Sequence, residues 1–280
     1  MHAIIGIDIG GSTTKIAGFQ DEEMLEPILV KASTPLASLF GAFGQFMIEN
    51  NLNLDDVKEI RLTGVGANSV KQDIYGIPTF KVDEFVANGV GGRFFSKNKN
   101  AVVVSMGTGT SYVLVDEKGL SYLGGIAIGG GTIIGLSKLL LHTEDVEVIQ
   151  ELSKKGHVDQ IDLRIKDISP EPLQGLDLDI TACNFGKVAE LATREDIAAG
   201  IVHMVLESIF HTGTLIAQDK GVDEFILIGS LANFDECEFI SSRCANMAGE
   251  NVHFVVPDKG GFGTAIGAAR AIKEDCRVIS

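Results

Sequence analysis

The sequence is short of positive charge. Lysine and arginine number 23 against 38 aspartates and glutamates, a formal net charge of −15. Neutralising a phosphate backbone needs a basic excess, so no nucleic-acid partner is expected, and an acidic body is also repelled by anionic membrane surfaces. Cysteine is scarce and scattered: Cys183, Cys237, Cys244 and Cys276 form no C-x-x-C and no tight His/Cys cluster. That spacing supports neither a zinc site nor a disulfide framework. No apolar run approaches the roughly 20 residues of a membrane span. The first apolar stretch is cut by Asp8 and lacks a basic start, so no targeting segment is expected either. A soluble cytoplasmic protein with reduced cysteines is the resulting expectation. Two nucleotide signatures are missing as well. There is no Walker G-x-x-x-x-G-K-[ST] and no G-x-G-x-x-G after the first strand, and Gly261-Phe262-Gly263 with Gly267 has the wrong spacing.

What is present is an ordinary globular composition. With 280 residues, 45% hydrophobic and 22% charged, the chain can bury one large core or two moderate ones, which suits an α/β protein of two lobes. Strand-like runs at 3–9, 15–20 and 27–32 precede helical spacing over 36–51, a strand at 59–63, a helix at 67–75 and a strand at 79–82. After the polar patch 96–100 the pattern restarts, with a strand at 101–105, a Gly/Thr turn at 106–111 and strands at 112–116 and 120–123. Strand, glycine-hydroxyl turn, strand thus occurs twice, about a hundred residues apart, which reads as an internal duplication. Helices follow at 132–141, 146–155 and 193–218, the last opening with the capping-box pattern Thr193-Arg194-Glu195-Asp196. Strands at 224–228 and 252–256 and a helix at 263–274 complete the reading. The lobes are placed at 1–98 and 99–280, with 263–280 a candidate to pack back on the N-terminal lobe.

The first turn raises a question of chemistry. Ile4-Ile5-Gly6-Ile7-Asp8-Ile9-Gly10-Gly11-Ser12-Thr13-Thr14-Lys15 puts a carboxylate inside an apolar strand and closes it with glycines and hydroxyls. Asp8 as a turn cap and Gly10-Gly11 as positive-φ residues would explain the glycines, but not the acid, the hydroxyl cluster or Lys15. Two such turns facing one another, the second at Met106-Gly107-Thr108-Gly109-Thr110-Ser111, suit a phosphate chain held by backbone N–H groups and hydroxyls. An aspartate beside phosphates requires a cation, so Asp8 implies Mg²⁺ held largely through water. A third cluster, Gly124-Gly125 and then Gly129-Gly130-Gly131-Thr132-Ile133, opens a helix. It is either a wall of the nucleotide site or a close-packed turn. Gly229-Ser230 ends a strand in a similar way.

In their order and spacing these motifs resemble those of the type II pantothenate kinases. The resemblance extends to Ile161-Asp162-Leu163-Arg164 and to Asp179-Ile180-Thr181-Ala182-Cys183-Asn184-Phe185-Gly186, and it spans nearly the whole chain. It implies an α/β, two-lobed actin-like (ribonuclease H-like) ATPase fold, with duplicated βββαβαβ-type lobes around a nucleotide cleft. It further implies ATP and Mg²⁺, and transfer of the γ-phosphoryl to the primary hydroxyl of pantothenate, the first step towards coenzyme A, by a homodimer. Carried onto this chain, the nucleotide residues are Asp8, Gly10, Gly11, Ser12, Thr13, Thr14, Lys15, Gly107, Thr108, Gly109, Gly129, Gly130, Gly131, Thr132, Ile133 and Ser230. Asp8 carries the metal. Glu84, in Val82-Asp83-Glu84-Phe85, is the base that takes the proton of the attacking alcohol, with Asp83 as the fallback. Otherwise the two acids simply occupy the N-terminal turn of the next helix. One position departs from the family: Ser121-Tyr122-Leu123 precedes Gly124 where an arginine is usual, so Tyr122 faces the substrate without positive charge, leaving Arg164 or Lys138 to compensate. Three other readings stay open. They are a gating ATPase of the 2-hydroxyacyl-CoA dehydratase activator type, a sugar or amino-sugar kinase using Asp83, and a nucleotide-binding protein without transfer.

Overall fold

A computed structural model describes residues 2–11, 13–31, 34–171, 177–248 and 252–278. The first half runs β1 (Ala3–Ile9), β2 (Thr13–Gln20), β3 (Glu23–Met24), β4 (Ile28–Lys31), α1 (Pro35–Glu49), β5 (Val57–Thr63), β6 (Thr79–Val82) and α2 (Glu84–Phe95). The second continues with β7 (Ala101–Met106), β8 (Thr110–Asp116), β9 (Gly119–Ile126), α3 (Gly130–Leu141), α4 (Val146–Ser153), β10 (Leu163–Arg164), α5 (Ile165–Ile168), β11 (Thr181–Cys183) and α6 (Arg194–Lys220). It closes with β12 (Glu224–Ile228), α7 (Glu236–Ala248), β13 (His253–Val255), α8 (Gly263–Arg270) and β14 (Cys276–Val278).

Two larger sheets result, ordered β14-β6-β5-β1-β2-β3 with β4 also on β2, and β13-β12-β7-β8-β9, and β10 pairs with β11 in a separate two-stranded sheet. Each contains an antiparallel meander whose first strand also pairs with a parallel partner, β1 with β5 and β7 with β12. The duplication read from the repeated turns is therefore a duplication of sheet topology. Strand alternation divides the faces of the first sheet. Ile5, Ile7 and Ile9, with Ile16, Ile60 and Leu62, form one core with Leu39, Phe43 and Phe46 of α1. The opposite face carries Gly6, Ala17 and Phe19, and it receives α8.

Between the sheets lie two exchanged helices. α2 comes from the first half and packs on β7, β8 and β12, while α8 comes from the second half and packs on β1, β2 and β5. Glycine sits at each contact of this stack. A Cβ on Gly6 would overlap the Ala265 carbonyl of α8, one on Gly267 the Ala87 carbonyl of α2, one on Gly91 the Gly263 carbonyl, and one on Gly92 the side chain of Val103. Backbone-to-backbone approach of this kind leaves no room for side chains. The end of α8 is held by Arg61, a buried residue of β5 whose Nη1 donates to the carbonyls of Ala269 (2.9 Å) and Ala271 while its guanidinium pairs with Glu59. Two carbonyls left over at the end of that helix thereby gain a charged donor.

Three expectations are revised. Residues 67–75 form no α-helix: a 3-10 segment at Val65–Ser69 is followed by a turn with positive φ at Tyr75 (50°) and Gly76 (76°). Gly64, Gly66, Asn68 and Ser69 are weak helix formers, and a single 3-10 turn is what they support. The last helix stops at Arg270 rather than 274, because Ile272–Cys276 turns through a 3-10 segment into β14, which pairs with β6 in the first sheet. Finally, α6 is long and apolar enough to cross a membrane by length and composition, contrary to the reading of the apolar runs. It is nevertheless a core helix, with 67% of its most apolar window buried and with α3, α4 and α7 packed around it. Its N-terminus carries the expected capping box, Thr193 with Asp196.

Candidate active site between the two turns

The first turn joins β1 to β2 in the register Asp8 with Lys15 and Ile9 with Thr14, and the Gly10 N–H closes it on the Thr13 carbonyl at 3.0 Å. Paired residues point to one face, so Asp8 and Lys15 look towards α8 and the second half. Thr14 belongs to the opposite face, fully buried with no partner for its hydroxyl among the described residues. Its side chain is thus turned into the α1 core and not towards a nucleotide, which corrects its place among the expected contacts. Thr13, by the same alternation, shares the face of Lys15. Ser12 lies outside the described residues. Lys15 is only 5% exposed, and its Nζ donates to Ser230 Oγ at 3.0 Å, linking the first sheet to the end of β12 in the second.

The second turn meets the first. A Cβ on Gly11 would lie 3.8 Å from Thr108 Oγ1, so the two glycine-hydroxyl turns face each other with about the room of a methyl group between them. Gly107 and Thr108 present their carbonyls to the start of α3, accepting from Gly130 N (2.8 Å) and Gly131 N (2.9 Å). Gly129 N donates to Thr132 Oγ1, and Thr132 N and Ile133 N both donate to the Gly129 carbonyl. Every amide from Gly129 to Ile133 is therefore engaged within the protein. A Cβ on Gly129 would sit 2.7 Å from the Thr108 oxygen and one on Gly131 2.8 Å from Thr108 Cγ2, and Ile133 is 1% exposed in the second core. The glycines of this cluster are closely packed and seat Gly107-Thr108-Gly109, while Gly130, Gly131 and Thr132 stay partly exposed and Ile133 anchors α3 in the second core.

Glu84 opens α2. Asp83 is the N-cap, its Oδ1 accepting from Phe85 N at 2.9 Å, so that carboxylate is already committed. Glu84 is solvent-reachable, yet burial raises its pKa, and the negative charges of Asp8 and Asp83 raise it further. Burial raises Asp8 too, with Lys15 pulling it back, and burial lowers Lys15 against the attraction of Asp8. Two carboxylates and one ammonium thus share a site of reduced polarity. Asp83→Ala is expected to cost about 0.5–2 kcal/mol of stability through the lost cap while leaving chemistry at Glu84 in place; urea unfolding beside a turnover assay checks both halves.

Beyond Glu84, Phe85 stacks on Tyr122 with ring centroids 4.0 Å apart and planes at 30°, closing α2 onto β9. Tyr122 is 53% exposed, and a groove lined by Leu123, Leu215 and Ile216 continues from it along α6. The two cations considered as replacements for the missing arginine are occupied. Arg164 pairs with Asp159 at 2.5 Å and Lys138 with Glu144 at 2.6 Å. The Asn184-Phe185-Gly186 segment is tied to α6 by a buried network: Phe185 N donates to Asp162 Oδ1 (2.8 Å), Asn184 Nδ2 donates to Glu207 (2.9 Å), and His203 Nδ1 lies 2.8 Å from Asp162 Oδ2. Sequence reasoning gave no role of its own to Phe85, whose ring stacks on Tyr122 beside Glu84.

Comparison with known proteins fits this geometry. The Fumble family profile matches residues 97–271. A type II pantothenate kinase of Bacillus cereus (strain ATCC 14579) is 31% identical over 278 residues, covering 96% of this chain and 98% of that relative. Among solved structures, the (R)-2-hydroxyglutaryl-CoA dehydratase component A of Acidaminococcus fermentans superposes with a TM-score of 0.69 at 17% identity, covering 98% of this chain and 99% of the other. A ROK family glucokinase of Streptomyces griseus, solved with glucose and AMPPNP, gives a TM-score of 0.62 at 12% identity, covering 96% and 98%. At such identities these two establish the fold alone, the two-lobed actin-like ATPase architecture. With a relative of that similarity aligned along almost its full length, the chain belongs to the type II pantothenate kinase family of ATP-dependent kinases.

Proposed function

We propose that this chain transfers the γ-phosphoryl group of ATP to the primary hydroxyl of pantothenate, with Glu84 as the base. The observation that carries the reading is the position of Glu84. It is an uncommitted carboxylate of raised pKa on the first turn of α2, close enough to Asp8 to feel its charge, beside two facing phosphate-type turns. Raising a carboxyl towards neutrality makes it a better proton acceptor for an alcohol at working pH. Asp8 fits a magnesium ion: its carboxylate lies against Gly64, where a Cβ would come 2.5 Å from Oδ1, and no cluster of three acids or histidines competes for a metal among the described residues. One carboxylate with phosphate oxygens and retained water is the donor set that magnesium favours. The ion when bound neutralises the phosphates and offsets the charge of Asp8.

This chain's own residues do the rest. The Gly10-Gly11 and Gly107-Thr108-Gly109 turns bind the phosphates. Lys15, released from Ser230 on nucleotide entry, supplies the positive charge that Tyr122 does not bring. Glu84 accepts the hydroxyl proton, and the Phe85–Tyr122 stack covers the acceptor and keeps water from the transferring group. The two lobes that close on the nucleotide are built on the two larger sheets, residues 1–98 with 263–278 returned to the first sheet through α8 and β14, and the rest of the second half. The homodimer belongs to the same proposal and is supported by exposed apolar side chains on the second half, among them Leu139, Leu191 and Phe239; light scattering tests it. Burial pushes the pKa of the Cys237 and Cys244 thiols up to about 12, and the exposed Cys183 lies far from the other three in sequence, so the cysteines form no cluster motif. The deciding experiment is coupled ADP release with Mg-ATP against pantothenate, pantetheine and hexosamines. Release with pantothenate is the expected result, and no release with pantothenate or pantetheine at millimolar concentration would overturn the substrate.

A further inference from the structure

Asp8 has a polar neighbour on each side in the first sheet. β2 places Lys15 in direct register with it, and β5 places Thr63. The three side chains therefore share the face that looks into the cleft. Thr63 is 1% exposed, and its hydroxyl has no hydrogen-bond partner among the described residues. Directly after it Gly64 adopts φ +81°, and a Cβ on that residue would come 2.5 Å from Asp8 Oδ1. A buried unpaired hydroxyl costs about 1–3 kcal/mol, so it calls for an explanation. Thr14 is the internal contrast. It is equally buried and unpaired, but it lies on the α1 face with Ile9 and Ile16, away from the Asp8 carboxylate. Of these two unpaired hydroxyls, only that of Thr63 belongs to a residue on the Asp8 face of the sheet.

We propose that Thr63 is a positioning residue for Asp8. In the nucleotide complex its hydroxyl donates to the Asp8 carboxylate oxygen turned away from the cation, so that the other oxygen is fixed towards the water shell of the magnesium ion. The assignment rests on Asp8 as the cation-bearing residue of the proposed function. Carboxylates that serve metals are themselves hydrogen-bonded, and loss of such an outer partner typically lowers metal affinity about 10–100-fold.

The test uses the full chain as Thr63→Val, which keeps the shape and removes the donor, and Thr63→Ser, which keeps the donor. Mn²⁺ is titrated by electron paramagnetic resonance at saturating ADP, ADP affinity is measured calorimetrically in EDTA, and thermal melting is recorded. The valine variant is expected to bind Mn²⁺ about 10–100-fold more weakly, with ADP affinity in EDTA unchanged and a melting temperature no lower than wild type, since it removes a buried unpaired hydroxyl, and the serine variant to restore the metal affinity. Wild-type Mn²⁺ affinity in the valine variant, or equal losses in both variants, would overturn the role of Thr63. Wild-type protein that binds ADP but takes up no Mn²⁺ with it would refute the reading of Asp8 and this assignment with it. Absence of ADP binding would refute the nucleotide site as a whole.

Discussion

Glu84→Gln is expected to leave nucleotide binding intact and to lower phosphoryl transfer about 10²–10⁴-fold, the usual contribution of a positioned base. Glutamine keeps the length and one acceptor oxygen but cannot take a proton. Asp83 cannot substitute, because its carboxylate caps α2 through Phe85 N. The wild-type pH profile follows from the same geometry. The ionised form of Glu84 is the competent base, and burial together with Asp8 and Asp83 raises its pKa above the ordinary 4.5. Below that raised value the group is protonated, so kcat/KM falls as pH falls through it, and the acid limb lies above the normal glutamate range. The glutamine variant loses this limb. Stopped-assay rates from pH 4 to 9 with a nucleotide-binding titration alongside test it; a variant within a few-fold of wild type, or one with the same limb, would remove Glu84 as the base.

Gly267→Ala carries the largest expected cost to stability, about 3 kcal/mol or more, at the upper end of overpacking effects. The added methyl would overlap the Ala87 carbonyl and lie 2.6 Å from Gly91 N, and both are backbone atoms of α2 that cannot rotate away. α8 must then move off α2, which strains the bonds between Arg61 and the carbonyls of Ala269 and Ala271. At roughly 2–4 °C per kcal/mol for a chain of this size, the melting temperature should fall by about 6–12 °C. Because Glu84 sits at the start of the same α2, turnover should drop even at temperatures where the variant stays folded. Calorimetry with turnover at 20 °C reads both effects, and a melting temperature within 2 °C of wild type would show that the two helices are not in the tight contact described.

Much of this site was legible in the sequence because it is local. Glycine and hydroxyl turns, the alternation that puts Asp8 and Lys15 on one face, and the capping box of Thr193 are all short-range patterns with short-range causes. The failures were of two kinds. Residues 67–75 were read as helix from apolar spacing, although Gly64 and Gly66 sit against Asp8 and Ile9 in close contact that spacing cannot reveal. For the Gly129–Gly131 cluster, expected at the nucleotide with close packing as the alternative, no local pattern signals the carbonyls of Gly107 and Thr108 that hold it, because they come from a separate turn.

The chain by itself thus determined two half-structures of like strand order, each with a glycine-hydroxyl turn, and the acidic and hydroxyl side chains placed on them. Tertiary structure decided how the halves combine. It exchanged α2 and α8 across the sheets, returned β14 to β6, turned Thr14 away and Thr63 inward, and joined Lys15 to Ser230. The physical reason is that alternation and turn propensity act over a few residues. Which backbone may approach which, and whether a carboxylate is left free or spent as a cap, depends on atoms that are distant in sequence and meet only when the core closes.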